Sequence, residues 1–282
     1  HLALAKSSAL ASDDEPTKRL IAFATRARDV DDGAEEEEDD HLREKLLAEF
    51  VGTFFLVLTV GVAVHSGGIL APLAIGGMLG IQIYTFASVS GGMFNPAVTL
   101  AVLLSGRGKI KPLEAGLYIA VQILAGIIAG LIALGITDES FCFDYALLSN
   151  GSWGTSLVLE IIFTMCLCNI VLSSGTSFDA PNQYFGVAIG GSVTAAAIAC
   201  GGWDQGSFNP AVTIGINIAN YAKEGSVGPS GGAWALFIIA PLLGGVVAAG
   251  VFRATRAREY LSVKKLEAAG SAHLLREKLL AE

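Results

Sequence analysis

The chain has 282 residues, of which 52% are hydrophobic and only 16% are charged. Ordinary soluble domains carry about 25% charged residues, so this composition excludes a typical water-soluble protein and favours a membrane protein. The formal net charge of -8 reflects the termini, above all the acidic run DDGAEEEEDD at residues 31–40. It therefore does not indicate a nucleic-acid partner.

The first segment, residues 1–41, precedes any long apolar block. Its acidic run cannot bury itself, so we expect a disordered and solvated N-terminal tail. Such a tail could bind a cytoplasmic partner.

Six apolar blocks follow, each close to the roughly 20 residues that a helix needs to cross a bilayer. They are residues 47–65, 70–89, 114–135, 155–174, 184–200 and 232–252. Two shorter apolar stretches, 96–104 and 210–220, each follow a proline and are too short to span a membrane. The predicted fold is therefore an all-α membrane protein with six transmembrane helices and two re-entrant half-helices.

Glycines recur four residues apart inside these blocks, a spacing that lets membrane helices approach closely. The pairs are Gly76/Gly80, Gly126/Gly130 and Gly186/Gly190. We expect each pair to lie at a helix–helix contact.

Basic residues, which favour the cytoplasmic side of a membrane, flank the blocks unevenly. They cluster before the first block, between the second and third, and after the sixth, whereas the opposite side has only Lys223. Both termini are therefore predicted to be cytoplasmic. The plasma membrane and an organelle membrane both stay open as locations.

The pentapeptide Asn-Pro-Ala-Val-Thr occurs twice, at residues 95–99 and 209–213, where each half-helix begins. Glu49 stands in the first block and Glu160 in the matching place of the fourth. Each half thus holds three spans and one half-helix, so the second half enters the membrane from the opposite side, which predicts an inverted repeat. The glutamates would be costly inside a span unless they accept hydrogen bonds from the half-helix loops.

Asn95 and Asn209 are predicted to cap the two half-helices. Each amide oxygen would accept a backbone N–H, while its NH2 stays free to meet a passing solute. The prolines that follow fix the angle at which the half-helices begin. Two half-helix N-termini meeting in mid-membrane would also present positive dipole ends that repel cations, protons included.

With these motifs the chain resembles the aquaporins, the major intrinsic proteins, over about residues 45 to 253. The resemblance rests on AEFVGTF, SGGMFNPAVTL, YIAVQILAG, the second Asn-Pro-Ala box and WALFIIAPLLGG. It implies a homotetramer of right-handed six-helix bundles, each with its own pore. The residues themselves offer no nucleophile or metal-ligand spacing, so no enzyme activity, metal or cofactor is expected. It assigns the pore motifs to Asn95, Pro96, Ala97, Asn209, Pro210 and Ala211.

Most of that family continues the second box with an arginine at the narrowest part of the pore, whereas this chain has Val212. Counting from the two boxes places the other three constriction positions at Ile75, Ala197 and Gly206. Water-selective relatives carry bulky aromatic, His and Arg groups there. This set therefore predicts a wider, apolar constriction that selects by size and dewetting.

The leading functional hypothesis is conduction of water with small neutral solutes such as urea, ammonia, glycerol or peroxide. A narrow water-only pore stays open as an alternative if neighbouring side chains fill the gap. A membrane scaffold with a closed pore is a second alternative. The pair Trp203-Asp204, before the second box, is interpreted either as an exposed turn or as polar lining of the pore vestibule.

The last segment, residues 254–282, is predicted to be a cytoplasmic C-terminal tail. It ends in LREKLLAE, a copy of residues 42–49, which indicates either a tandem polyprotein whose next copy starts near residue 273 or an artefact of sequence assembly. The predicted channel domain is 42–253, with repeat one at 42–135 and repeat two at 154–253.

Overall fold

Helices account for most of the chain that the computed structural model describes, residues 41–66, 68–177 and 183–261. They are α1 (Leu42–Ser66), α2 (Ala71–Ser90), α3 (Pro96–Leu104), α4 (Pro112–Thr137), α5 (Trp153–Ile170), α6 (Phe185–Cys200), α7 (Pro210–Ala222) and α8 (Gly231–Thr255). A π-helical turn, Val171–Gly175, extends α5. The predicted N-terminal tail, except its last residue, and the repeated LREKLLAE lie outside the described residues.

Five of the helical stretches are long and apolar enough to cross a membrane, with mean hydropathies between 1.6 and 2.5. They are α1, α2 with the short turn before it, α4, α5 with its π-helical turn, and α8. The predicted fifth span is present as α6, an apolar helix of 16 residues. At about 1.5 Å per residue it is shorter than the roughly 30 Å hydrocarbon core.

The half-helices α3 and α7 begin at the two prolines, as predicted, and have 9 and 13 residues. Each packs on the last span of the opposite half, α3 on α8 and α7 on α4. Within the halves, α1 packs on α4 as α5 packs on α8, and α2 packs on α6 between them. Equivalent helices thus make equivalent contacts, which confirms the predicted fold class.

Glycines allow the closest contacts between helices. A methyl group on Gly190 of α6 would collide with the carbonyl oxygen of Gly76 on α2, and one on Gly80 would lie 2.9 Å from the Gly186 carbonyl oxygen. On α4, Gly126 and Gly130 face backbone atoms of α7 in the same way. The three Gly-xxx-Gly predictions are confirmed.

Adjacent glycines of α6 provide a direct test of this packing. Gly190→Ala is expected to lower the free energy of unfolding by about 1–3 kcal/mol, because the added methyl meets backbone that cannot move aside. Gly191→Ala is expected to be neutral or stabilising by up to about 1 kcal/mol, since alanine favours helix and nothing lies within 4 Å. Thermal unfolding of both variants in detergent measures the difference. Equal changes of the unfolding temperature in the two variants would contradict the close contact at Gly190.

A buried arginine holds one end of the bundle together. Arg107, between α3 and α4, stacks 4.3 Å from the ring centroid of Phe252 and donates to the Thr176 carbonyl oxygen at 2.9 Å and to Glu259 at 3.2 Å. Burial lowers the pKa of Arg107, and the charge of Glu259 opposes that shift. The short turn Ala257–Tyr260, within the segment predicted as a tail, therefore packs against the bundle.

Candidate functional site

The two half-helices are capped by the predicted asparagines. The amide oxygen of Asn95 accepts the backbone N–H of Ala97 at 2.8 Å, and that of Asn209 accepts the N–H of Ala211 at 2.9 Å. Both asparagines have extended backbones, and a proline follows each as the first helical residue. The N-terminal N–H groups that a helix leaves without a partner are therefore partly satisfied by the caps.

The side-chain NH2 of each asparagine reaches across to the other half. Asn95 Nδ2 donates to the carbonyl oxygen of Phe208 at 2.9 Å, and Asn209 Nδ2 donates to that of Phe94 at 3.0 Å. The expectation that both NH2 groups stay free is therefore wrong, because each donates one hydrogen bond to the opposite half. Buried amides require partners, so one N–H of each amide binds the opposite half, and each NH2 group carries a second N–H besides.

The residues before the asparagines have an unusual backbone. Phe94 and Phe208 adopt left-handed conformations with φ of 49° and 52°, which cost on the order of 1–3 kcal/mol for a residue with a Cβ. A glutamate accepts the N–H of each: Glu49 Oε2 from Phe94 at 2.7 Å, and Glu160 Oε2 from Phe208 at 2.9 Å. With the opposite asparagine bound to the carbonyl oxygen, both backbone groups of each Phe are held.

The second oxygen of each glutamate binds the same loop. Glu49 Oε1 accepts the N–H of Met93 at 2.8 Å and the hydroxyl of Ser90 at 2.7 Å. Glu160 Oε1 accepts the N–H of Ser207 at 2.6 Å. Both carboxyl groups are fully buried. The two glutamates thus accept successive backbone N–H groups of the two loops. The role of Ser90 was not predicted from the sequence.

A cavity of about 340 Å³ lies between the two halves. All four residues expected at the constriction line it: Ile75, Ala197, Gly206 and Val212. Both capping asparagines line it as well. Much of the remaining wall is aliphatic: Leu56, Val60, Leu79, Val98, Leu167 and Val193. The other motif residues are buried in the half-helices: Pro96, Ala97, Pro210 and Ala211.

A loop between α4 and α5 adds an aromatic wall to this cavity. Phe143 lines the cavity and belongs to the same buried apolar cluster as Val212. Two side chains hold the loop: Gln205 Nε2 donates to the Cys142 carbonyl oxygen at 2.8 Å, and Asn217 Oδ1 accepts the N–H of Phe143 at 2.8 Å. The sequence analysis missed Phe143; the available signal was the apolar FCF inside a polar segment.

Trp203 and Asp204, which precede the second box, do not share one environment. Trp203 is 55% exposed, whereas Asp204 is 1% exposed and lines the cavity. The exposed-turn interpretation therefore fits Trp203, and the lining interpretation fits Asp204.

Comparisons with known proteins match residues 36–252 to the family described as major intrinsic protein. A probable aquaporin NIP-type from Nicotiana alata is 30% identical over 226 residues, which cover 77% of this chain and 79% of the relative. Glycerol uptake facilitator protein-like 6 from Lactiplantibacillus plantarum is 34% identical over 217 residues, covering 73% and 94% respectively.

The fold also matches a solved structure. The aquaglyceroporin from Plasmodium falciparum aligns with a TM-score of 0.62 and 17% sequence identity, over 75% of this chain and 95% of that chain. At this identity the likeness concerns the arrangement of helices alone.

Proposed function

This chain belongs to the major intrinsic protein family and is a transmembrane channel for water and small solutes, and we propose that it conducts small neutral solutes together with water through a wide, apolar constriction. One observation carries the proposal. Ile75, Ala197, Gly206 and Val212 line a common cavity, and all four lack a polar side chain.

Such a ring selects by size rather than by charge. A small solute that enters it finds no side-chain hydrogen bond to replace its hydration, so passage depends on how many waters the width admits with it. Beyond the ring, each capping asparagine keeps one N–H for the solute. The N-termini of α3 and α7 add partial positive charges that repel cations, including protons.

A narrower, water-only pore is the second candidate, and Phe143 favours it. The aromatic side chain of Phe143 packs in the same buried cluster as Val212, which is 4% exposed. Phe143 therefore occupies part of the space that the arginine of most relatives would fill. The ratio of urea flux to water flux in the unmodified protein separates the two candidates. Urea flux above that of empty liposomes supports the wide pore, and water flux without urea flux supports the narrow one.

Val212→Arg tests the constriction directly. A guanidinium at this position adds bulk, a fixed charge and hydrogen-bond donors, so we expect urea and glycerol flux to fall several-fold more than water flux. Stopped-flow light scattering on proteoliposomes gives both rates. The same charge repels protons more strongly where water is scarce, so any proton leak is expected to fall as well.

A matched control places the same substitution outside the cavity. Val227 lies in the loop between α7 and α8 and is 82% exposed, so Val227→Arg is expected to leave both rates unchanged. A Val212→Arg protein that still conducts with an unaltered urea-to-water ratio would show that position 212 does not set selectivity.

We propose the family's assembly for this chain as well: a homotetramer with both termini in the cytoplasm. Two features support it. Large apolar side chains are exposed around the bundle, among them Leu73, Ile81 and Ile162, where lipid or neighbouring subunits would cover them. The basic residues Arg107 and Arg253 lie at one end, beside the C-terminal turn, in keeping with a cytoplasmic face.

A further inference from the structure

The loops that precede the two half-helices correspond residue by residue. Ser90 and Asp204 each stand five positions before their capping asparagine. In the first loop, the Ser90 hydroxyl donates to Glu49 Oε1 at 2.7 Å and accepts the backbone N–H of Gly92 at 3.1 Å. A hydroxyl can do both because it carries a donor and acceptor lone pairs.

In the second loop, Asp204 occupies the place of this serine. Its Oδ2 accepts the N–H of Gly206 at 3.0 Å, and Glu160 accepts the next two N–H groups at 2.6 and 2.9 Å. Three successive N–H groups thus bind two carboxyl groups, which places the carboxyl groups side by side. Asp204 is 1% exposed, and its Oδ1 has no hydrogen-bond partner within the described part of the chain.

An ionised aspartate cannot reproduce the bond that Ser90 makes, because a carboxylate only accepts. Two adjacent buried carboxylates also repel each other and lose hydration. Apart from the backbone N–H groups of Gln205 and Gly206, the described groups that interact with Asp204 are Ser156 and Glu160 on α5 and Cys200 at the end of α6. None of these side chains brings a positive charge. In keeping with this, burial raises the pKa of Asp204.

We propose that Asp204 and Glu160 share one proton, which takes the place of the Ser90 hydroxyl hydrogen and holds the second half-helix loop in its conducting shape. Asp204 lines the cavity, so the proton exchanges with water in the pore. When it leaves, two carboxylates remain, and the loop that carries Gly206 and Asn209 loses support. Where flux is the readout, the inference rests on the proposed function.

The direction of the pH effect follows from the raised pKa. The stabilising proton is fully bound below the ordinary aspartate pKa of about 3.9, and it is lost as the pH rises through the raised pKa of the folded protein. Loop stability and flux are therefore highest in acid and fall toward alkaline pH.

The experiment compares the protein with Asp204→Ser, which installs the arrangement of the first half. Water flux into proteoliposomes is measured from about pH 4 to about pH 9, a range that brackets buried carboxyl groups. We expect a several-fold fall in the unmodified protein and a constant flux in Asp204→Ser. Ser90→Asp, the reverse graft, is expected to add a second pH-dependent fall. Glu139→Ser removes an exposed acid outside the cavity and is expected to keep the unmodified profile.

Thermal unfolding in detergent over the same pH range gives a readout independent of flux. The unmodified protein is expected to lose thermal stability with rising pH more steeply than Asp204→Ser, and Asp204→Asn serves the same purpose if the serine variant does not fold. If the thermal stability of the unmodified protein does not depend on pH, or depends on it equally in Asp204→Ser, the proposal of a shared proton is wrong. Absence of flux at every pH with the stability difference intact would contradict the proposed function and leave the proton site standing.

Discussion

Glu49→Leu is expected to lower the free energy of unfolding by about 2–6 kcal/mol and to abolish flux. The substitution leaves the buried N–H groups of Met93 and Phe94 without an acceptor, at about 1–3 kcal/mol each. It also removes one of the two acceptors of Gln122 Nε2, which donates to Glu49 at 2.9 Å and to Thr99 Oγ1 at 3.0 Å. Because Phe94 has a left-handed backbone, its loop is expected to relax away from the pore.

Unfolding in detergent and flux in proteoliposomes check this result. Glu44→Leu is the matched control, since Glu44 lies on the same helix with a side chain that is 66% exposed and is expected to change stability by less than about 0.5 kcal/mol. If Glu49→Leu were as stable and as conductive as this control, the buried carboxylate would be merely tolerated.

Asn209→Asp is expected to reduce water and solute flux by at least about tenfold, the change produced by roughly 1.4 kcal/mol. The carboxylate can still accept the N–H of Ala211, but its other oxygen would face the Phe94 carbonyl oxygen, where the amide now donates at 3.0 Å. Two acceptors then repel each other at the junction of the halves. The new negative charge at the pore midplane also offsets the helix dipoles, so a cation leak is expected.

Flux assays and ion-conductance recordings on reconstituted protein measure both effects. Asn150→Asp adds the same charge in an exposed loop and is expected to leave water, solute and cation flux unchanged. Normal solute flux without a cation leak in a correctly assembled Asn209→Asp protein would remove this residue from the permeation path.

The fold was largely predictable because its determinants are local in the chain. The lengths of the apolar blocks and the prolines that begin both half-helices depend on one helix and the membrane around it. The Gly-xxx-Gly spacing depends on one face of one helix. The duplicated box and the two glutamates then indicated an inverted repeat. The helix boundaries were less predictable: α1 begins at Leu42, five residues before the predicted block at residue 47, because apolar composition does not indicate a polar first turn.

The sequence by itself therefore determined the membrane helices, the half-helices and four positions that line the central cavity. Three features were decided only by the tertiary structure. The asparagine NH2 groups bind the opposite half, Phe143 reaches the cavity from a loop, and Asp204 stands beside Glu160. Each joins residues that are far apart in sequence, and each follows from burial, because a polar group or ring removed from water bonds or packs with whatever the fold brings next to it.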